Sequence, residues 1–243
     1  MTPTSRPHLA ATLLLLALTA CATGAGSPQP SAAGPTPVVE AHAEVDTAIP
    51  NDWRTVASPA DRERVERVDE AWAAALATAR TRGHRRKVDA EGELLQPAAA
   101  LPRPAPTPGS YRCRAIKLGG AVGFRAFPPY FCYVEAEGDL LILDKQTGSE
   151  RPRGRVWADG DQRLIFLGAL ELGGERTPPA YGEKPERNVA GVVERVGPFR
   201  WRLVMPATRP GASLDVLEMV PAPQSIRSLV PAPSPTTKAS GRS

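Results

Sequence analysis

Between residues 110 and 220 the chain is divided by turn residues into short apolar or alternating runs, and this pattern most constrains its fold. Regularly spaced short strands separated by Gly- and Pro-containing turns are typical of antiparallel barrels and sandwiches. The sequence therefore predicts a mainly β fold over residues 110–222, an antiparallel β-barrel or sandwich of about eight strands. The candidate strands are SYRCRAIKL, PYFCYVEA, DLLILDK, RGRVWA, RLIFLGAL, NVAGVVERV, FRWRLVMP and SLDVLEMV, with a possible short ninth at Val122 to Phe127.

Two of the connections carry the composition of hairpin turns. EGD lies between Val134 and Leu140, and ADGD lies between Trp157 and Leu164. Asp-Gly and Gly-Asp pairs suit tight hairpins because glycine adopts the left-handed backbone conformation that these turns require. We expect the strands on either side of each turn to be antiparallel neighbours.

One amphipathic α-helix is predicted before the β domain, in the helical segment 51–95. Ser58 is a suitable N-cap, Pro59 suits the first helical position, and Gly83 stands just past the expected end. An apolar stripe at helical spacing indicates packing against the chain's own domain, with a partner-binding face as the alternative. This stripe consists of Val65, Val68, Trp72, Leu76 and Ala79.

Three segments have too few large apolar residues to build a core. Residues 21–50 are rich in Ala, Pro, Ser, Gly and Thr, residues 96–109 form a proline-rich connection, and residues 223–243 return to low-complexity sequence. We expect residues 21–50 to be a disordered tether and residues 223–243 to be a disordered tail. The connection at residues 96–109 is expected to be neither continuous helix nor central strand.

The first 20 residues have the layout of a signal peptide. Arg6 precedes an apolar run from Leu9 to Ala20, which is shorter than the roughly 20 residues needed to span a bilayer. Residues 18–21, Leu-Thr-Ala-Cys, resemble the lipobox of bacterial lipoproteins. This resemblance implies that Cys21 is acylated, becomes the first residue of the mature chain and holds the protein on a membrane. Ala22 in place of aspartate favours the outer membrane, facing the periplasm.

With Cys21 assigned to lipid, two cysteines remain. In an oxidising compartment Cys113 and Cys132 are expected to form one disulfide, with two free buried thiols as the alternative. Closing a loop of this size stabilises a fold by about 3 kcal/mol in the entropic account.

A longer resemblance extends over residues 51–222. The motifs NDWR, DRERVERVDEAWAAALATAR, PGSYRCRAIKLG, TGSERPRGRVW and AYGEKPERNVAGVVERVGPFRWRLVMP occur in order. Together they resemble a family of proteobacterial envelope proteins that is known as a domain of unknown function. This resemblance implies a secreted or lipid-anchored protein but supplies no activity and no functional residues. A weaker, fold-level similarity connects a small exported barrel with one disulfide to bacterial metalloprotease inhibitors and lipocalin-like binders.

Composition argues against several function classes. A net charge of +4 over 243 residues, part of it contributed by Arg6, is too small to predict nucleic-acid binding. Beyond the signal segment the histidines are His42 and His84, so histidine-centred catalysis and His-rich metal sites have little material. We expect no catalytic residues, no metal and no cofactor. The glycine-rich KLGGAVG lacks the lysine and hydroxyl residue that end a phosphate-binding loop.

The weak ligand-binding candidates lie in RPRGRVW. In an extended strand Arg151, Arg153, Arg155 and Trp157 share one face, which could bind a carboxylate or phosphate group. The favoured alternative is a solvated face whose arginines pair with acidic residues on neighbouring strands. Pro152 indicates an edge strand.

FRWRLVMP places Arg200 and Arg202 on one face of another strand, and we expect these arginines to face solvent. Arg112 and Arg114 flank Cys113 in the same way. Neighbouring strands of this kind would give the barrel a basic stripe.

The sequence is best interpreted as a lipid-anchored periplasmic binding or interaction module, with an unknown protein or small molecule as its ligand. The alternatives are a periplasmic protease inhibitor built on a small β-barrel and a structural envelope lipoprotein. An enzyme is the least favoured reading, because no nucleophile is paired with a base in the sequence pattern.

Replacing the expected lipid attachment site tests the anchor directly. Cys21→Ser removes the thiol that would be acylated, so incorporation of labelled palmitate in a bacterial host should be abolished while the unchanged chain is labelled. A Cys21→Ser chain that still incorporates the label would refute the assignment.

Overall fold

A closed antiparallel β-barrel forms the body of the computed structural model, which describes residues 50–175, 177–207 and 211–223. The predicted signal peptide, the acylated Cys21, almost all of the tether and all but the first residue of the tail lie outside the described residues. Within them the sheet runs in chain order from β1 to β9, and β1 also pairs with β9. The strands are Gly109–Gly119 (β1), Gly123–Ala126 (β2), Tyr130–Glu137 (β3), Leu140–Lys145 (β4), Glu150–Ala158 (β5), Arg163–Leu172 (β6), Asn188–Gly197 (β7), Arg200–Pro206 (β8) and Leu214–Pro221 (β9).

Eight strands close the barrel, and β2 is an additional strand. The first half of β1 pairs with β3, from Gly109 opposite Val134 to Cys113 opposite Tyr130. Its second half pairs with β2, while β9 pairs along most of its other side. The mainly β prediction is confirmed, with a barrel rather than a sandwich. The possible ninth strand is β2.

Alternate residues of each strand point into the barrel. The position of one disulfide identifies which of the two alternating sets of side chains faces inward. Cys113 and Cys132 are joined, with their Cα atoms 5.9 Å apart. Their side chains lie in an interior apolar cluster that also includes Val134, Phe166 and Trp201. Residues that share the alternation of Cys113 along β1, namely Tyr111, Ala115 and Lys117, therefore face inward.

Helices precede the barrel. They are Trp53–Val56 (α1), Pro59–Glu66 (α2), Val68–Ala79 (α3) and Arg85–Asp89 (α4), with a wide helical turn at Arg80–His84 and 3-10 turns at Gly92–Leu95 and Pro97–Ala99. A further 3-10 turn, Pro185–Arg187, lies in the connection between β6 and β7. The Ser58 hydroxyl accepts a hydrogen bond from the Asp61 N–H as an N-cap, as the sequence predicts. The helix is interrupted at Arg67, and it changes direction at Gly83, where φ is 84°.

The predicted apolar stripe packs against the outside of the barrel. Val65, Val68, Trp72, Leu76 and Ala79 are all buried, and they share one cluster with outward-facing barrel residues. That explains why β6, β7 and β8 are apolar on both faces, with runs such as Leu164 to Ala169 almost fully buried. Each covered side chain of this size stabilises the fold by roughly 1.5–3 kcal/mol.

A buried arginine joins the helical segment to the barrel. Arg202 is fully buried, so the prediction that it faces solvent is wrong: its strand face lies under the helical segment. Its Nη1 donates to the carbonyl oxygens of Glu93 at 2.8 Å and Gln96 at 2.7 Å, and its Nη2 donates to that of Pro97 at 3.0 Å. Its Nε donates to Glu194 at 2.7 Å. These carbonyls belong to the 3-10 turns Gly92–Leu95 and Pro97–Ala99 and to Gln96 between them.

A second polar contact holds the start of α2. The buried carboxylate of Asp61 accepts hydrogen bonds from the Tyr181 hydroxyl at 2.6 Å and the Asn188 side-chain amide at 3.2 Å. It also pairs with Arg64. The β6–β7 connection and the start of β7 are thereby tied to the first turn of the helix.

Removing the Arg202 guanidinium should destabilise the fold strongly. Arg202→Met leaves the largely buried Glu194 carboxylate without its guanidinium partner and removes the hydrogen bonds to the carbonyls of Glu93, Gln96 and Pro97. We therefore expect the free energy of unfolding in urea to fall by about 3–5 kcal/mol. Arg153→Met is the matched control, because its ion pair with Asp144 is exposed and should contribute less than about 1 kcal/mol. Equal losses in the two variants would contradict the role given to Arg202.

Candidate functional site

The predicted arginine row is present on the outer face of β5, and each member pairs with an acidic residue of an adjacent part of the sheet. Arg151 pairs with Glu171 and Arg155 with Glu137. Arg153 donates to Asp144 at 2.9 Å. This is the arrangement described by the alternative reading of RPRGRVW, in which the guanidinium groups are already occupied.

Trp157 shares the outer face of β5 but is not available to a ligand. Its side chain is buried in the cluster between barrel and helices, and its Nε1 donates to the Pro50 carbonyl at 3.0 Å. β5 is also not an edge strand, since it pairs with both β4 and β6. Pro152 is accommodated because it lies one residue past the last β4 partner pair, Asp144 with Arg153.

The anticipated basic stripe is neutralised by an intervening acid. β9 lies between β1 and β8, and it places Glu218 between two arginines. Arg114 Nε donates to Glu218 at 2.8 Å, and Arg200 Nε donates to it at 2.7 Å. The outer face thus carries paired charges where sequence reasoning considered a run of positive ones.

A cavity of about 340 Å³ opens at one end of the barrel interior. This end carries the β1–β2, β4–β5 and β8–β9 connections, and we name the space the mouth cavity. Its volume lies at the lower end of the range for small-molecule sites. Its apolar wall includes Val122, Phe127, Leu170, Val189, Met205 and Leu217, and its ionisable residues are Lys117, Lys145, Glu150 and Asp215.

Two connections meet beside the mouth cavity. The Val122 N–H donates to the Gly211 carbonyl at 3.1 Å, and the Ser213 N–H donates to the Leu118 carbonyl at 2.8 Å. Gly120 has a φ of 55°, and a Cβ added there would lie 2.4 Å from the Gly211 carbonyl oxygen. The glycines of KLGGAVG therefore permit a close approach of two loops, a structural role distinct from phosphate binding.

Lys117 is the centre of an ion-pair triad inside the barrel. Its Nζ lies 2.8 Å from Asp215 Oδ2 and 2.9 Å from Glu150 Oε2. Burial lowers the pKa of Lys117, but the two carboxylates outweigh that effect and the pKa is raised. Burial raises the pKa of Asp215, and the charge of Lys117 opposes the shift. Oδ1 of Asp215 is buried without a hydrogen-bond partner among the described residues.

Lys145 is a second ammonium group of the mouth cavity, and it is buried. Its Nζ donates to the carbonyls of Thr147 at 2.7 Å and Glu150 at 2.8 Å, and it lies 4.0 Å from the centre of the Tyr130 ring. Burial lowers the pKa of Lys145 to about 8; the Glu150 carboxylate opposes this shift, and the charges of Arg151 and Lys117 add to it. The amine is therefore mostly protonated at pH 7 and is held by groups of the protein itself.

The volume and lining of the mouth cavity suit a small molecule. It combines an apolar wall with two positive and two negative groups that bind each other or the backbone. Within the described ranges no group of three or more His, Cys, Asp or Glu side chains could hold a metal ion. No helix in the same part of the chain is both long and apolar enough to cross a membrane.

The predicted site residues did not include the four charged residues of the mouth cavity, although the alternation along the strands carries a signal for them. Lys117 shares the alternation of Cys113, and Asp215 shares that of Leu217. Charged residues at inward-facing positions of otherwise apolar strands mark a polar part of the interior. Once the disulfide identifies the inner face, the same rule locates Lys145 beyond Leu143.

The family described as "Domain of unknown function (DUF4893)" matches residues 53–219. The match begins at the first helix and ends within the last strand. No curated protein and no solved structure matches the chain.

Proposed function

The chain belongs to the DUF4893 family, a domain of unknown function, and we propose that its barrel is a non-enzymatic binding module for a small molecule. The observation that carries this proposal is the mouth cavity. Its apolar wall and its few buried polar groups have the composition of ligand sites, in which apolar surface supplies affinity and polar groups fix orientation.

The contacts that Lys117 and Lys145 make within the protein favour binding of a ligand over catalysis. A catalytic acid, base or nucleophile must be free to exchange a proton or attack a substrate. Lys117 bridges two carboxylates, and the Lys145 ammonium contacts two carbonyls and an aromatic ring. Breaking these contacts during each turnover would leave the buried Lys145 ammonium without compensation, which is costly.

The proposed location follows from the amino-terminal sequence. Cys21, as a lipidated first residue, would hold the barrel at the bacterial cell envelope, at the outer membrane and facing the periplasm. The Cys113–Cys132 disulfide supports an oxidising compartment, because such bonds persist outside the reducing cytosol. In this arrangement the partners are the membrane, through the lipid, and the ligand of the mouth cavity.

Filling the mouth cavity should abolish binding of a neutral apolar probe. N-phenyl-1-naphthylamine fluoresces on transfer from water to an apolar site, so we expect saturable fluorescence with the unaltered chain. Ala115 faces inward and lines the cavity. Ala115→Phe places a ring in that space and should reduce affinity by at least about tenfold, corresponding to about 1.4 kcal/mol.

The matched control puts the same ring on the outside. Glu135 is exposed on β3, so Glu135→Phe should leave probe affinity unchanged. Thermal unfolding of both variants establishes that each is folded. Absence of saturable binding to the unaltered chain, or equal binding by Ala115→Phe, would refute the proposed site.

A further inference from the structure

We infer that the mouth cavity selects neutral molecules with an apolar body and one small polar group, such as alcohols or amides, over anions and cations of the same shape. This inference rests on the proposed function and names the class of ligand. It follows from the way in which the charges inside the barrel are matched.

The first step is the balance of formal charge. The lining of the mouth cavity includes two lysines, Lys117 and Lys145, and two acidic residues, Glu150 and Asp215, whose formal charges sum to zero. The Lys117 Nζ contacts both carboxylates within 3 Å, while Lys145 is held by backbone carbonyls and the Tyr130 ring. No excess charge of either sign remains among these four groups to attract an ionic ligand.

The second step is the cost of bringing an ion into this space. An ionised group loses its hydration on entering a protein interior, and only a counter-charge or several hydrogen bonds can offset that loss. A ligand carboxylate would be attracted by Lys117 and Lys145 but repelled by the carboxylates of Asp215 and Glu150. A ligand ammonium would meet the opposite problem with Lys117 and Lys145. A neutral group avoids both costs.

The third step is the gain from the apolar wall. Val122, Phe127 and Leu170 lie on the sides of the cavity, and Met205 and Leu217 belong to the apolar wall and the interior cluster. Each methylene of a ligand buried against such a surface contributes about 0.8 kcal/mol. An alkyl chain therefore supplies affinity, and the charge of its head group decides whether that affinity is retained.

The experiment compares three probes that share one alkyl chain. Binding of 1-octanol, octanoate and octylammonium to the full chain is measured at pH 7 by displacement of N-phenyl-1-naphthylamine and by calorimetry. We expect 1-octanol to bind at least about tenfold more tightly than either ion. Ala115→Phe reports whether each probe occupies the mouth cavity.

Two variants shift the charge of the cavity in opposite directions. Lys117→Met removes the counter-charge of Asp215 and Glu150, so the preference should move towards octylammonium. Asp215→Asn removes one negative charge and should move it towards octanoate. Arg153→Met alters an exposed charge on the outer face and should leave the three affinities in their original ratio.

The outcomes separate the inference from the function on which it rests. Octanoate or octylammonium binding as tightly as 1-octanol to the unaltered chain overturns the charge argument while leaving a ligand site. If none of the three probes displaces N-phenyl-1-naphthylamine and that dye itself does not bind, the proposed function is overturned as well. Unchanged probe ratios in both folded charge variants also overturn the inference.

Discussion

The Arg202 guanidinium connects the two layers of the fold, and the rest of the structure depends on that connection. It donates hydrogen bonds to carbonyl oxygens of the 3-10 turns that end the helical segment. Trp72, whose ring centre lies 4.3 Å from the guanidinium carbon, belongs to the apolar cover on the outer faces of β6 to β9. The helices are therefore part of the barrel domain.

The helices cover the outside of the barrel and do not enter its interior. The inward-facing side chains must therefore fill the lumen by themselves. Tyr111, Phe166 and Trp201 fill it around the disulfide. Towards the mouth the inward positions pass to Ala115 and Lys117 on β1, and the filled core gives way to a cavity. The change from large apolar to small and charged residues along one strand thus separates the packed part of the interior from the part that we propose to be the ligand site.

The mutual pairing of the interior charges links stability to specificity. Lys117 must find partners inside the barrel, since a lone buried ammonium would lose its hydration without compensation. Asp215 and Glu150 supply them. With Lys145 included, the formal charges of the four charged side chains that line the mouth cavity sum to zero. The ligand preference that we infer follows from this requirement.

Local features of the sequence predict much of this fold. The two-residue alternation and the turns at EGD and ADGD locate the strands, because both signals act within a few residues. The N-cap at Ser58 and the stop at Gly83 are local in the same sense. Arg202 was misplaced because its burial depends on a helix more than a hundred residues away in the chain. The mouth cavity needs the closed order of strands, which brings Lys117, Lys145 and Asp215 to one end.

A crystal structure with a halogenated probe tests the account most directly. Crystals of the chain soaked in 8-bromo-1-octanol should show one anomalous bromine peak inside the mouth cavity, with the hydroxyl beside the Lys117 and Asp215 pair and the alkyl chain against the apolar wall. A bromine peak confined to the outer surface, with the cavity unchanged at saturating probe, would contradict the assignment of the mouth as the ligand site.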